Sequence, residues 1–353
     1  MAIKRCGKNP LITPADVTPS RSDLKVDCVF NAAVTKYKNE IILILRVAES
    51  PKDTADDIVK IPHLEEVNGK FNLVIKELDK NDPKYDFSDS RTIASKNNPY
   101  QIYLTSISHM RLARSTDGVN FTIDAKPFLF PNTKYEAFGI EDPRVTKFGN
   151  KYYINYSAVS PLGITTALAV TEDFIKVERK GIIFEPDNRD VCLFPEKVNG
   201  KYLAIHRPAQ RYIGMPEMWL AKSDNLIYWG DHEHFLGSSS DKWDCLKIGG
   251  GAPVIKTEKG WLNIYHGVDE TQRYCLGAIL LDLNDPMKVI AKSKTPLLQP
   301  ETEYELYGFY GNVIFTCGAL LEGDLLRIYY GASDEVIGLA EITLADLWDH
   351  LNI

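Results

Sequence analysis

The sequence has little of what marks membrane or secreted proteins. Its longest apolar run, IILIL, covers only residues 41–45, whereas a helix needs about 20 apolar residues to cross a bilayer. The first 20 residues also lack the apolar stretch of a secretory signal. From these absences we expect a cytoplasmic protein without a membrane partner.

Cysteine and positive charge are also sparse. The six cysteines, at positions 6, 28, 192, 245, 275 and 317, form neither a CxxC pair nor a cluster with histidine. We therefore predict reduced thiols, no disulfide and no metal site. The 41 basic residues are dispersed among 48 acidic ones, giving a net charge of −7. That balance argues against a nucleic-acid partner, but a few convergent arginines would still suffice for a small anion.

What the chain does contain is one hairpin pattern repeated five times. An apolar strand, a polar turn with glycine or asparagine, and a second apolar strand occupy residues 32–48, 143–159, 194–209, 252–268 and 314–332. A shorter strand and an acidic turn follow each hairpin. Five repeats of about four strands predict an all-β fold, a five-bladed β-propeller, in one domain over residues 1–353. A β-sandwich is the alternative.

Two segments depart from the repeat. The tail LADLWDHLNI predicts a short C-terminal helix, and the long connection between the first hairpin and residue 111 predicts an insertion. Within that insertion, residues 49–70 lack strand alternation and predict a loop that covers one face. Propeller rims and the C-terminal helix are compatible with a homo-oligomer.

Polar residues and glycines gather at one end of the five hairpins. In a propeller these ends converge on a central channel, which predicts a polar pocket there. Taken singly, each has a simpler explanation: an ion pair that pins a turn, a core histidine, or a flexible glycine turn. The residues at this end include Asn31, Arg46, Asp142, Arg144, the segments 194–197, 249–251 and 311–312, His206, Arg207, His266 and Asp334.

Four of these stretches together resemble glycoside hydrolase family 130. They are GIEDPRVTKFGNKYYINYSAVS, LFPEKVNGKYLAIHRP, KIGGGAPVIKTEKGWLNIYHGV and NVIFTCGALLEGDLLRIYYGASD, and the resemblance runs from about Asn31 to Ala340. It implies a five-bladed propeller and inverting cleavage of β-mannosides. In the phosphorylases of the family, inorganic phosphate attacks the anomeric carbon and releases α-mannose 1-phosphate.

The resemblance also implies roles for residues. The aspartate of the EDPR motif makes Asp142 the general acid, with its proton passing through a sugar hydroxyl in the phosphorylases. Phosphate attack needs no second carboxylate, but it needs cations, which arginine supplies as bidentate donors. The candidates for phosphate binding are Asn31, Arg46, Arg114, Arg144, Lys197, His206 and Arg207. Those for sugar binding are Tyr265, His266, Tyr330 and Asp334.

Three functions remain open at this point. The segment 161–169 lacks the arginine of phosphorylases that act on mannosyl-glucose, which favours the branch active on β-1,2-linked mannosides. The chain is then a phosphorylase of β-1,2-mannobiose or short mannooligosaccharides, with phosphate as co-substrate and no cofactor. The alternatives are an inverting β-1,2-mannosidase, with a general base among Glu196, Glu217 and Glu303, and a carbohydrate-binding propeller without catalysis.

Overall fold

The protein is almost entirely β-structure, which confirms the predicted all-β class. The computed structural model describes residues 3–52, 56–89, 91–209, 213–240 and 242–353. Apart from strands, these residues form two single turns of 3₁₀-helix, at Pro14–Asp16 and Lys134–Glu136, and two short α-helices. The helices are α1 (Glu303–Leu306) and α2 (Leu344–Leu351), and α2 is the C-terminal helix that the sequence predicts.

The strands follow in chain order as β1 (Lys4–Arg5), β2 (Leu24–Tyr37), β3 (Glu40–Pro51), β4 (Ile58–Val67), β5 (Lys70–Asp79), β6 (Tyr85–Asp86), β7 (Thr92–Ser95), β8 (Asn98–Leu104), β9 (Ile107–Ser115), β10 (Thr122–Ile123), β11 (Gly139–Phe148), β12 (Lys151–Ser160), β13 (Gly163–Thr171), β14 (Glu178–Phe184), β15 (Asn188–Leu193), β16 (Tyr202–Pro208), β17 (Met218–Ser223), β18 (Trp229–Leu236), β19 (Lys247–Gly250), β20 (Ile255–Lys256), β21 (Trp261–Val268), β22 (Tyr274–Leu281), β23 (Val289–Lys292), β24 (Ile314–Glu322), β25 (Leu325–Ala332) and β26 (Val336–Thr343).

Most strands fall into five antiparallel groups. The first group is β2–β3–β9–β10 and the second is β11–β12–β13–β14, and a parallel contact between Gly139 and Ser108 joins these two into one sheet. The third group is β15–β16–β17–β18, and the fourth is β19–β21–β22–β23 with β20 beside β21. The fifth group is β24–β25–β26, which the N-terminal strand β1 completes.

Apolar clusters lie between successive groups and make up the core. The alternating residues of each strand point to opposite faces, so both faces of a group pack against neighbours. The fifth group in turn packs on the first through β2, β24 and β25. Fully burying one such side chain stabilises the fold by about 1.5–3 kcal/mol. Pairs that share these clusters are Ile44 with Ile154, Leu168 with Leu193, Ile205 with Ile279, Leu280 with Ile328, and Leu339 with Leu43.

The insertion between β3 and β9 is folded rather than a loop. Ile58–Val67 pairs with Lys70–Asp79 as a hairpin, and β6, β7 and β8 form a second small sheet. Ile61, Leu78 and Ile93 form a cluster of their own between them. The loop prediction for residues 49–70 was wrong because partner strands, which a weakly alternating stretch does not reveal, fix its extended backbone.

Three groups begin with the same backbone irregularity. Each first strand shifts its register at a bulge, and the bulged strands carry Asn31, Asp142 and Asp190 with φ values of +50°, +50° and +58°. Asparagine and aspartate tolerate this left-handed region better than other residues with a Cβ. A bulge re-aims the side chain of the extra residue, and these three side chains turn toward a common pocket.

Candidate active site

A cavity of about 530 Å³ receives residues from all five groups and from the insertion. Its volume lies within the range of roughly 300–1,000 Å³ typical of small-molecule sites. Six residues that the sequence analysis singles out line it, namely Asn31, Arg46, Asp142, Arg207, His266 and Asp334.

Asp142 is held by two donors inside this pocket. Its Oδ1 accepts hydrogen bonds from Asn31 Nδ2 and Arg46 Nη1, both at 2.9 Å. The second terminal nitrogen of Arg46 lies 2.8 Å from Glu141 Oε1. Burial alone raises the pKa of Asp142, but the positive charge of Arg46 and the Asn31 hydrogen bond outweigh it and lower the pKa. Asp142 is therefore ionised in the free protein at neutral pH.

The pKa of Asp334 is shifted in the opposite direction from that of Asp142. Asp334 lines the same pocket with a φ of +52° and, among the described residues, has no direct hydrogen bond or ion pair. Burial raises the pKa of Asp334 to about 6, with a further contribution from Asp142 and opposition from Arg46. The pKa values of the neighbouring Asp142 and Asp334 carboxyl groups are thus shifted in opposite directions, an arrangement common to acid and base pairs in enzymes.

Asp190 organises the side of the pocket formed by the third and fourth groups. Its carboxylate receives Arg207 Nε at 2.6 Å and Arg144 Nη2 at 3.2 Å, and His266 Nε2 lies 3.6 Å away. Burial raises its pKa, but Arg207, His266 and Arg144 outweigh burial and lower it. Gly249 allows this close packing, because a Cβ there would lie 2.4 Å from Asp190 Oδ2.

Cations line the pocket on this side. Arg189, Arg207 and Lys247 all face the cavity, and Lys247 Nζ donates to the Tyr274 hydroxyl at 2.6 Å. Burial, followed by repulsion from Arg207, lowers the pKa of Lys247 to about 8. Burial also lowers the pKa of His266 to about 3, so this imidazole is neutral. We call Arg189, Arg207 and Lys247 the cationic wall, since their mutual repulsion suits a bound anion.

Arg144 lies under the pocket and is occupied by protein groups. It is 1% exposed, and it donates to the carbonyl oxygens of Gly251 at 2.6 Å and Gly250 at 3.0 Å in addition to Asp190. Its guanidinium therefore connects the second group to the third and fourth. Arg144 does not line the cavity, and its predicted contact with phosphate stays a prediction.

Five other predicted residues lie away from the pocket, each for a visible reason. Arg114 pairs with Glu40 and Asp124 at the far end of β9, and Lys197 is exposed over the Tyr202 ring. The other three are buried and have hydrogen-bond partners that the sequence could not show. His206 bonds to Asn188 and His232, Tyr265 donates to Asp244, and Tyr330 donates to Glu305.

Sequence reasoning missed Arg189, Asp190, Lys247 and Tyr274, which line the pocket. Asp190 had a usable signal. It is an acidic residue at the start of an inner strand, as Asp142 is, but the repeats were aligned on their turns, which placed the equivalent position at residues 194–197. Aligning the repeats on asparagine or aspartate at the bulge would have found it.

The three glutamates proposed as a hydrolytic base lie elsewhere. Glu196 forms an ion pair with Lys256, and both side chains are about half exposed. Glu217 accepts from the Ser238 backbone at 2.8 Å and contacts His234, and Glu303 is exposed at the start of α1.

The insertion reaches over the pocket. Arg91, Thr92, Leu104 and Ser106 contribute to its lining, and the Arg91 guanidinium stacks 4.2 Å from the centre of the Tyr310 ring. The Leu64 backbone N–H also donates to the carbonyl of Ala137, and Arg21 Nη1 donates to the carbonyl of Leu73. These contacts hold the insertion against the rest of the protein.

All six cysteines are free thiols. In the part of the chain that the structure describes, no group of three or more histidine, cysteine, aspartate or glutamate residues is arranged to hold a metal ion. The same part contains no helix with the length and apolarity needed to cross a membrane.

Known proteins are similar in sequence over nearly the whole chain. The profile of glycoside hydrolase family 130, described as beta-1,4-mannooligosaccharide phosphorylase, matches residues 90–352. A beta-1,2-mannobiose phosphorylase from Listeria innocua is 47% identical over 354 residues, covering 100% of this chain and 99% of that protein. A beta-1,2-mannobiose phosphorylase from Thermoanaerobacter is 40% identical and covers 96% and 97%.

A solved structure agrees with the sequences. The Listeria innocua beta-1,2-mannobiose phosphorylase in complex with beta-1,2-mannobiose superposes with a TM-score of 0.95 at 46% identity, covering 100% of this chain and 99% of that one. Sequence and structure match over the whole length, including all five strand groups. The chain belongs to glycoside hydrolase family 130.

Proposed function

We propose that this protein is an enzyme that cleaves β-1,2-mannobiose and short β-1,2-mannooligosaccharides by inverting phosphorolysis. The products are α-mannose 1-phosphate and a mannoside shortened by one unit. The relatives named as beta-1,2-mannobiose phosphorylases support the linkage and the reaction, because they match nearly the full length of the chain at 40–47% identity.

We also infer that the five strand groups are the blades of a five-bladed propeller. Each group packs on the next, and the fifth packs on the first through β2 and β24. Such radial packing leaves only short sheet edges exposed. The pocket then lies at one end of the central channel, where the bulges of the inner strands meet.

The observation that carries the proposed function is the cationic wall facing the pocket. In an inverting displacement the nucleophile and the leaving group occupy opposite faces of the anomeric carbon. Arg189, Arg207 and Lys247 come from the third and fourth groups, whereas Asp142 and Asp334 come from the second and fifth. A phosphate on the wall and a leaving sugar near the carboxyl groups satisfy this requirement.

In this arrangement Asp142 is the general acid, and its proton reaches the glycosidic oxygen through a sugar hydroxyl. Asn31 and Arg46 orient its carboxylate, so we assign them to the acid rather than to phosphate. A bound phosphate dianion places negative charge near Asp142 and raises its pKa toward the range an acid needs. Asp334, with its pKa of about 6, supplies a second exchangeable proton and a contact for sugar hydroxyls.

Hydrolysis fits this pocket less well. Water attack needs a free carboxylate as general base, and the described carboxylates on the side of the cationic wall are already paired. Glu141 is bound by Arg46, with Arg189 3.7 Å away, and Asp190 is bound by Arg207 and Arg144. Such neighbours hold a carboxylate ionised but weaken it as a base.

Product analysis tests the reaction directly. The protein is incubated with β-1,2-mannobiose with and without inorganic phosphate. We expect equal amounts of α-mannose 1-phosphate and mannose, formed only when phosphate is present. Release of two mannoses per disaccharide at the same rate without phosphate would establish the mannosidase instead.

A second test uses the pKa of Lys247. Lys247 is charged below pH about 8 and loses its proton above that value, so phosphate loses one charge-assisted hydrogen bond at high pH. Such a bond contributes about 1.5–3 kcal/mol, and we expect KM for phosphate to rise at least about tenfold between pH 7 and 9.5. In Lys247→Arg the charge persists and the rise should disappear. An identical rise in that variant would contradict the assignment.

The remaining features are proposals as well. We infer that phosphate is the only co-substrate, that no cofactor takes part, and that the enzyme acts in the cytoplasm, where sugar phosphate is retained. A homo-oligomer stays a prediction, to be checked by light scattering of the purified protein.

A further inference from the structure

Behind the cationic wall lies a hydrogen-bonded chain of three side chains. Asn188 Nδ2 is 3.0 Å from His206 Nδ1, and His206 Nε2 is 3.1 Å from His232 Nδ1. An amide nitrogen can only donate, so His206 Nδ1 is the acceptor. The proton of a neutral His206 then sits on Nε2 and is donated to His232. Both hydrogen bonds therefore form only when His206 is neutral and carries its proton on Nε2.

The surroundings of His206 enforce this state. Its ring is 3% exposed and stacks on Phe184, with ring centres 4.8 Å apart. Burial, with a contribution from His232, lowers the pKa of His206 to about 3. Protonation would remove the acceptor for Asn188 and place a further positive charge beside Arg207.

The hydrogen-bonded series of side chains lies behind two arginines, whose charges repel each other. In the antiparallel pairing of β15 with β16, Arg189 lies directly opposite Arg207, and Asn188 lies opposite Pro208. Both arginines face the pocket, and Asn188 and His206 lie on the other face because side chains alternate along a strand. Like charges directly opposite each other repel and destabilise a strand pair.

Few other contacts oppose this repulsion at Arg189. The register shifts between Arg189 and Cys192, so the regular ladder is interrupted just beyond it. Arg189 forms an ion pair with Glu141 at 3.7 Å, and its side chain is 31% exposed. Its position thus depends on how firmly the end of β15 is held against β16.

We propose that Asn188 and His206 are positioning residues, which hold Arg189 against Arg207 in the spacing that binds phosphate. They act through the strand pair and touch neither substrate. The inference rests on the proposed function, since it assumes that the cationic wall binds phosphate. It gives His206 a role in phosphate affinity although it lies outside the pocket.

His206→Phe tests the proposal. Phenylalanine keeps the stack on Phe184 but removes both hydrogen bonds. We expect KM for phosphate to rise about tenfold, which corresponds to about 1.4 kcal/mol, the order of one hydrogen bond. KM for β-1,2-mannobiose should change less than about twofold, a separation that general loosening of the fold would not produce.

Two further variants test whether the hydrogen bond between Asn188 and His206 is responsible. His206→Gln retains an acceptor and a donor and should stay close to the wild-type KM for phosphate. Asn188→Leu removes the donor and should match His206→Phe. Because both residues act in one link, the double variant should be no worse than either single variant. Additive effects of the two substitutions would overturn the proposal.

His234→Phe is the matched control. His234 lies on β18 of the same sheet and its half-exposed side chain contacts Glu217, so the substitution removes an imidazole contact away from the cationic wall and should leave both KM values unchanged. An unchanged KM for phosphate in both His206→Phe and Asn188→Leu also overturns the inference. If the wild type forms no α-mannose 1-phosphate from β-1,2-mannobiose, the proposed function itself fails, a result visible before any variant is made.

Discussion

Replacing Asp142 with asparagine is expected to lower kcat for phosphorolysis by about 10²–10⁴-fold, the usual contribution of general acid catalysis. The substitution removes the titratable carboxyl group, and with it the negative charge that faces Arg46. Asparagine has the same shape, and its Oδ1 can still accept from Asn31 and Arg46. It also tolerates the left-handed φ of +50° at this position, so the fold should be preserved.

The experiment measures the initial rate of α-mannose 1-phosphate formation together with the thermal unfolding midpoint. Asp124→Asn is the control, since Asp124 is also an aspartate near an arginine, Arg114, but lies at the far end of β9. The control should keep wild-type turnover. Near-normal turnover in Asp142→Asn would mean that Asp142 only pins the bulge through its contact with Arg46.

The sequence predicted the strand groups because their signal is local. A hairpin shows itself through alternation and a turn within about 17 residues, and each group contains one. The insertion was harder to predict. Ile58–Val67 alternates weakly, and what makes it a strand is the pairing with Lys70–Asp79 and a small shared cluster around Ile61.

Pocket residues could be predicted where the residue type itself indicates the backbone conformation. Asn31 and Asp142 are polar residues next to apolar strand segments, and their residue types suit the left-handed backbone of a bulge. Lys247 and Tyr274 have no comparable signal in the sequence, because their contact joins residues of two different strands. Their place in the pocket depends on the packing of whole groups, which one sequence does not show.

Two arginines show what the sequence alone could not distinguish. Arg144 and Arg207 are the same residue type at the same end of their repeats, so the sequence assigned both to phosphate. The structure separates them by their acceptors. Arg144 donates to the carbonyl oxygens of Gly250 and Gly251, whereas Arg207 uses Nε for Asp190 and lines the pocket.

This difference predicts that two matched substitutions differ in their effect on phosphate binding. Arg207→Met removes a charge from the cationic wall, and KM for phosphate should rise about 10- to 150-fold, equivalent to about 1.5–3 kcal/mol. Asp190 keeps Arg144 and the nearby His266 as partners. The protein should therefore remain folded, although the loss of the buried Arg207–Asp190 ion pair also lowers its stability, and KM for β-1,2-mannobiose should stay close to that of the wild type.

Arg144→Met should instead lower the free energy of unfolding by about 3–5 kcal/mol, the cost of breaking a buried ion pair. It leaves the carbonyls of Gly250 and Gly251 without their donor and deprives Asp190 of one of its two arginines. Urea unfolding measures this loss, and phosphate titration of the activity that remains gives KM. An unchanged stability together with a raised KM for phosphate would show that Arg144 reaches the ligand, as Arg207 does, and would return it to the phosphate site.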